Sequence, residues 1–193
     1  MTVEFSYSNI HAITNSLKKG QVIVLPSDTL YGFSCLALNS NAVEQIYTLK
    51  QRESSKPFII LISDISDLQT FGVSLNEYQQ NFLQAHWPAS LTVVFDIVDE
   101  KFEYLHRGTT SLGFRIPDNK LLIEIIKSVG PITSTTVNIS GQSPATSIDD
   151  SMKLFGTKVD LYVENGVMES EPSTVIRLKK DGFDLLRQGK VLL

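Results

Sequence analysis

The chain has 193 residues with 42% hydrophobic content, enough for one substantial core and with no break in composition that calls for a second domain. Its net charge of -4 weighs against a general nucleic-acid coat while leaving room for a local basic patch. No stretch approaches the roughly 20 apolar residues of a membrane helix, and the N-terminus lacks signal-peptide order. A cytoplasmic protein is expected, in which the lone Cys35 is a buried, inert thiol.

Periodicity gives strands alternating with helices. In chain order these are a helix over 10–18, strands over 22–25 and 31–38, a helix over 42–50 and a strand over 58–62. A helix over 76–85, strands over 91–97 and 112–116 and a helix over 120–128 come next. A strand over 132–135, an amphipathic piece over 150–155 and strands over 161–163 and 174–178 complete the set. Gly20, Gly32, Trp87-Pro88, Pro117-Asp118-Asn119 and Gly130-Pro131 punctuate them. The order implies an α/β or α+β sheet, part parallel and part antiparallel, in a single domain spanning 1–193.

The most informative stretch is Lys50-Gln51-Arg52-Glu53-Ser54-Ser55-Lys56-Pro57. Upstream, Ala42, Ile46 and Leu49 form the apolar stripe of a helix capped by Asn39 or Ser40, which places Lys50 and Arg52 at its C-terminal end. The helix dipole accounts for one or two cations there. It does not account for Lys56, and the run Phe58 to Ile62 that follows reads as a strand buried on both faces. Three cations anchored between core elements suit an anionic ligand such as phosphate.

Other chemistries are excluded by what is missing. There is no P-loop, no dinucleotide-binding glycine turn and no metal-ligand spacing among His11, His86 and His106. Gly141-Gln142-Ser143-Pro144-Ala145 half-matches a nucleophile elbow, but proline after the serine removes the amide an oxyanion hole needs. What remains are polar loops at strand ends, where ligands of open α/β sheets sit. These are Pro26-Ser27-Asp28-Thr29, with a self-bonded turn at Asp28 as the alternative, and Ser134-Thr135-Thr136-Val137-Asn138. Ser111 and Arg115 can share one strand face, and Arg187 stands alone near the C-terminus.

Taken in order, PSDTLYGF, KQRESSKP, SLGFRIP, STTVNISG, PSTVI and LLRQG resemble the successive motifs of threonylcarbamoyl-AMP synthases, the YrdC/Sua5 family, over roughly residues 10 to 190. The resemblance implies a YrdC-like twisted mixed sheet with flanking helices around a central cavity. It implies that L-threonine, bicarbonate and ATP are joined into L-threonylcarbamoyladenylate and pyrophosphate, for N6-threonylcarbamoyladenosine in tRNA. It assigns catalysis to Lys50 and Arg52. ATP would contact Arg52, Lys56, Ser111, Thr136, Asn138 and Arg187; threonine would contact Thr29, Arg115 and Ser134. Mg²⁺ would arrive with the triphosphate. A tRNA contact, and hand-off to the transferase that modifies tRNA, are implied partners.

The chain departs from the family pattern at Ser27, Thr136 and Val137, the last adding bulk beside the expected nucleotide site, and at Leu61, where some relatives carry histidine. Two other readings stay open. One is a non-catalytic YrdC-like module that binds RNA or nucleotide. The other is the carbamoyl transfer performed by YrdC-like domains inside larger hydrogenase-maturation proteins.

Overall fold

The computed structural model describes residues 1–53 and 55–193. In chain order its strands are β1 (Thr2–Glu4), β2 (Ile23–Pro26), β3 (Tyr31–Ser34), β4 (Ile59–Leu61), β5 (Leu91–Asp96), β6 (Ser111–Arg115), β7 (Ile132–Thr136), β8 (Leu161–Glu164), β9 (Thr174–Leu178) and β10 (Phe183–Arg187). Its helices are α1 (Ile10–Lys18), α2 (Ser40–Lys50), α3 (Glu77–His86), α4 (Glu103–His106), α5 (Lys120–Val129) and α6 (Ile148–Phe155), with short 3-10 turns between some of them.

The strands form one mixed sheet in the order β1-β8-β2-β3-β7-β4-β6-β5-β9-β10. The pairs β1/β8, β2/β8, β4/β6 and β5/β9 run parallel, and the remaining neighbours run antiparallel. The alternation of side chains sorts the central strands between two cores. On β4 and the residue after it, Ile60 and Ile62 join the larger core while Leu61 joins the smaller one. On β2, Val24 goes one way and Ile23 and Leu25 the other. The smaller core lies beneath α1 and α5, whose Ile13, Leu17, Leu122, Ile125 and Ile126 are almost fully buried. Helix α2 brings Ala42, Val43 and Ile46 to the larger core, and the Asn39 side chain caps it by accepting from the Ala42 N–H at 3.1 Å.

The sequence-derived elements recur with shifts at their ends, except for one strand. The ladder expected over 31–38 stops at Ser34. Beyond it the chain stays bonded to β7 through the Leu36–Ile132 bridge and the Ala37 N–H to Pro131 carbonyl bond, but without regular pairing. Three elements escaped the reading. Strand β1 has three residues and helix α4 has four, too few to show a period; β10 is exposed along its whole length, so no buried face marks it.

Candidate active site

The turn between β2 and β3 supplies the first wall of a cleft. Ser27 Oγ donates to the Leu30 carbonyl at 2.8 Å and accepts from the Thr29 and Leu30 N–H groups, closing a tight hydroxyl turn. It also lies 3.1 Å from Thr29 Oγ1, so two buried hydroxyls sit side by side. Strand β7 pairs antiparallel with β3 and brings Ser134, Thr135 and Thr136 opposite that turn. Arg115 at the end of β6, Arg52 after α2, Ser173 before β9 and Arg187 of β10 complete a cleft of about 180 Å³.

An adjoining depression of about 340 Å³ shares Arg52 and Arg187 and adds Thr109, Ser111 and Arg177. Ligand pockets for molecules much larger than an amino acid start at about 300 Å³, so the smaller cleft suits a small ligand and the pair of cavities a larger one. A roomier depression of about 600 Å³ lies over residues 64–84, but no cation lines it.

Six of the ten residues singled out from the sequence line the first cleft: Thr29, Arg52, Arg115, Ser134, Thr136 and Arg187. Ser111 lines the second. The other three do not reach either opening. The Lys50 ammonium is buried; it donates to the Thr136 carbonyl, to the Asn138 carbonyl at 3.2 Å and to Asn138 Oδ1 at 2.8 Å. Asn138 is fully engaged as well, since its amide donates to the carbonyls of Ile139 and Gln142 and its Oδ1 accepts from Thr136 Oγ1 at 2.7 Å. Lys56 is exposed, paired with Glu53 at 2.6 Å. The expected three-cation cluster is thus divided among the interior, the cleft and the surface.

The division has a local cause. Gln51 takes a left-handed conformation with φ 47°, ending α2 between Lys50 and Arg52. Lys50 stays on the inward face, whereas Arg52 folds back over its own loop, donating from Nε to the Lys56 carbonyl at 3.0 Å and from Nη2 to the Pro57 carbonyl at 3.3 Å. Its guanidinium also lies over the Phe58 ring, 5.4 Å from the centroid. Arg187 is fixed across the cleft by two bonds to the Ser173 carbonyl, at 2.7 and 3.2 Å.

Electrostatics separates these cations. Burial, assisted by the charge of Arg52, pulls the Lys50 pKa down from its usual value to about 7. Burial also lowers Arg115, opposed by the neighbouring Asp28 carboxylate. Cys35 is buried with its thiol pushed up to about 12, as befits an inert packing residue.

Two departures from the family pattern fall away from the cleft. Val137 is completely buried in the larger core, and Leu61 packs in the smaller one, so neither adds bulk to the opening. Asp28 does not close a turn on its own backbone; it pairs with Arg115 at 3.0 Å. Ser173 and Asp28 were missed as site residues because each acts through a partner on another strand, Asp28 through Arg115 of β6 and Ser173 through Arg187 of β10, and local spacing carries no trace of either contact.

The Sua5/YciO/YrdC family, described under telomere recombination, matches residues 15–189. The chain belongs to this family. Among Sua5/YciO/YrdC relatives, the threonylcarbamoyl-AMP synthase of Vibrio vulnificus is 28% identical over 185 residues, covering 94% of this chain and 99% of its own. The threonylcarbamoyl-AMP synthase of Mus musculus is 28% identical over 182 residues, covering 94% of this chain and 64% of its own. The structure of P. abyssi Sua5 complexed with L-threonine superposes with a TM-score of 0.84 at 26% identity, covering 98% of this chain. This chain spans only 56% of that protein's length. No helix of the described residues is long and apolar enough to cross a membrane.

Proposed function

We propose that this chain is an L-threonylcarbamoyladenylate synthase, a nucleotidyl-transferring enzyme. The observation that carries this reading is the asymmetry of the cleft: a hydroxyl end built from Ser27, Thr29 and Ser134 beside Arg115, opening toward Arg52 and Arg187. The likeness to the threonine-bound P. abyssi protein supports it. In this reading the hydroxyl end and Arg115 take the threonine hydroxyl and carboxylate, while the triphosphate and nucleoside of ATP extend over Arg52 and Arg187 toward Ser111.

Threonine amine and bicarbonate give the carbamate with loss of water. A carbamate oxygen then attacks the α-phosphorus, the bond to the β-phosphate bridging oxygen breaks, and pyrophosphate leaves with the electron pair. Negative charge grows on the phosphoryl oxygens and on the departing pyrophosphate, so cations already fixed in place lower the barrier without rearranging. Arg52 and Arg187 are held by backbone carbonyls and fit that role. Lys50 contributes from behind by holding the Thr136–Asn138 loop, and no side chain becomes a covalent nucleophile. Mg²⁺ enters as part of the MgATP substrate. The adenylate is consumed by the enzyme that transfers its threonylcarbamoyl group to adenosine in tRNA.

The test is release of pyrophosphate from ATP with threonine and bicarbonate each omitted in turn, and the product identified by mass. Release that needs both, with the mixed carbamic–phosphoric anhydride as product, is the expected outcome. Release indifferent to threonine would overturn the reading, and salt-sensitive tRNA binding without turnover would point to the RNA-binding module instead.

A further inference from the structure

Asp28 stands in the turn that carries Ser27 and Thr29, yet its carboxylate is held entirely by distant segments. Oδ2 accepts from Ser90 Oγ at 2.7 Å and from the Asp118 N–H at 3.4 Å, while Oδ1 lies 3.0 Å from Arg115 Nη2. Both charged side chains are 3% exposed. The β2–β3 turn, the segment before β5 and the loop after β6 therefore meet at one carboxylate.

The contact is not the one a stabilising pair would adopt. A strong Arg–carboxylate pair is a fork with two parallel hydrogen bonds. Here Arg115 Nη2 approaches Oδ1 without hydrogen-bond alignment, leaving Oδ1 and Arg115 Nε both buried and without a hydrogen-bond partner among the described residues. An imperfectly matched buried pair adds little to stability, because desolvation offsets the attraction. Ser90 and the Asp118 amide fix Asp28 through Oδ2 and hold its Oδ1 against the guanidinium. Arg115 in turn lines the cleft beside Thr29 and Ser134 with donor capacity unspent.

We propose that Asp28, pinned by Ser90, is a positioning residue for the amino-acid substrate: it keeps the Arg115 guanidinium in place at the cleft without taking up its hydrogen-bond donors, which stay free for the substrate carboxylate. This rests on reading the cleft as the threonine site. A planar five-donor group is useful to a carboxylate only at a set angle, so the benefit lies in orientation rather than in added charge.

The experiment measures threonine affinity by calorimetry, and KM for threonine and for ATP, in the wild type, Asp28→Asn and Ser90→Ala. Ser90→Ala keeps both charges and frees only the carboxylate; it should weaken threonine binding about fivefold or more and leave KM for ATP within about twofold. Asp28→Asn should weaken threonine binding by about tenfold or more, with the same split. Should Asp28→Asn fail to fold, Ser90→Ala decides alone. Threonine affinity within twofold of wild type in the folded variants would reduce Asp28 to a structural brick. Tighter threonine binding in Asp28→Asn would make it a competitor for Arg115 instead. Either result overturns the positioning role while the wild-type activity stands. A wild type that neither binds threonine nor needs it for pyrophosphate release would overturn the site reading and this proposal together.

Discussion

Lys50 Nζ donates to Asn138 Oδ1 across 2.8 Å, joining the last turn of α2 to the loop that follows β7. The bond is reinforced by the backbone, where Ser140 N–H donates to the Lys50 carbonyl at 2.9 Å. Two motifs 88 positions apart are thereby one structural unit behind the cleft.

Asn138→Ala is therefore expected to act first on stability. It removes an acceptor from a buried ammonium and a donor from the carbonyl of Gln142, while the Ile139 carbonyl keeps its bond from the Gln142 N–H, a loss of about 1–3 kcal/mol. Urea unfolding should show the loss, while calorimetric titration with a non-hydrolysable ATP analogue should show affinity within a few-fold of wild type. Unchanged stability with lost affinity would place the amide in contact with nucleotide after all.

Lys50 predicts a pH dependence whose sign follows from its lowered pKa. In the unfolded chain the amine titrates near 10.5, and in the folded protein near 7. Between those values the unfolded state binds the extra proton, so this group makes the protein more stable as pH rises from 7 toward 10.5; below 7 its burial cost is present in full. Midpoints of urea unfolding at pH 7 and pH 9 should rise more in wild type than in Lys50→Met, where this contribution is gone.

Arg52 and Lys56 are separated by four positions and by their surroundings, so their alanine variants should differ. Arg52 lines both cavities, and removing a charge-assisted phosphate contact worth about 1.5–3 kcal/mol should lower pyrophosphate release by roughly ten- to a hundredfold. Lys56 holds an exposed pair with Glu53, and its loss should change turnover by less than about threefold. Equal losses in the two variants would mean that the loop closes over ATP and brings Lys56 inward.

Gly189 offers a steric test of the C-terminal clasp. A Cβ there would overlap the Pro172 carbonyl oxygen and lie 2.7 Å from that of Ser173, the residue that anchors Arg187. Gly189→Ala should destabilise by about 1–3 kcal/mol in a thermal melt and raise KM for ATP by displacing Arg187. An unaltered melt and KM would show that the tail moves aside freely.

The sequence by itself determined the mixed sheet and most of its elements, because buried strands and amphipathic helices write their periods locally: Phe58 to Ile62 and the α2 stripe needed no tertiary information. It also marked the cleft-lining hydroxyls of Thr29 and Ser134 as polar interruptions at strand ends. What it left open was direction. Lys50, Arg52 and Lys56 read as one cluster, but a left-handed Gln51 and the packing of α2 send them to three environments. Asp28 read as part of a polar loop at a strand end, with a self-bonded turn as the alternative, and only the juxtaposition of β6 with the β2–β3 turn made it the partner of Arg115. The physical reason is that side-chain partners are chosen across the sheet, where the strand order places segments tens of residues apart within hydrogen-bond reach, and no local pattern encodes that meeting.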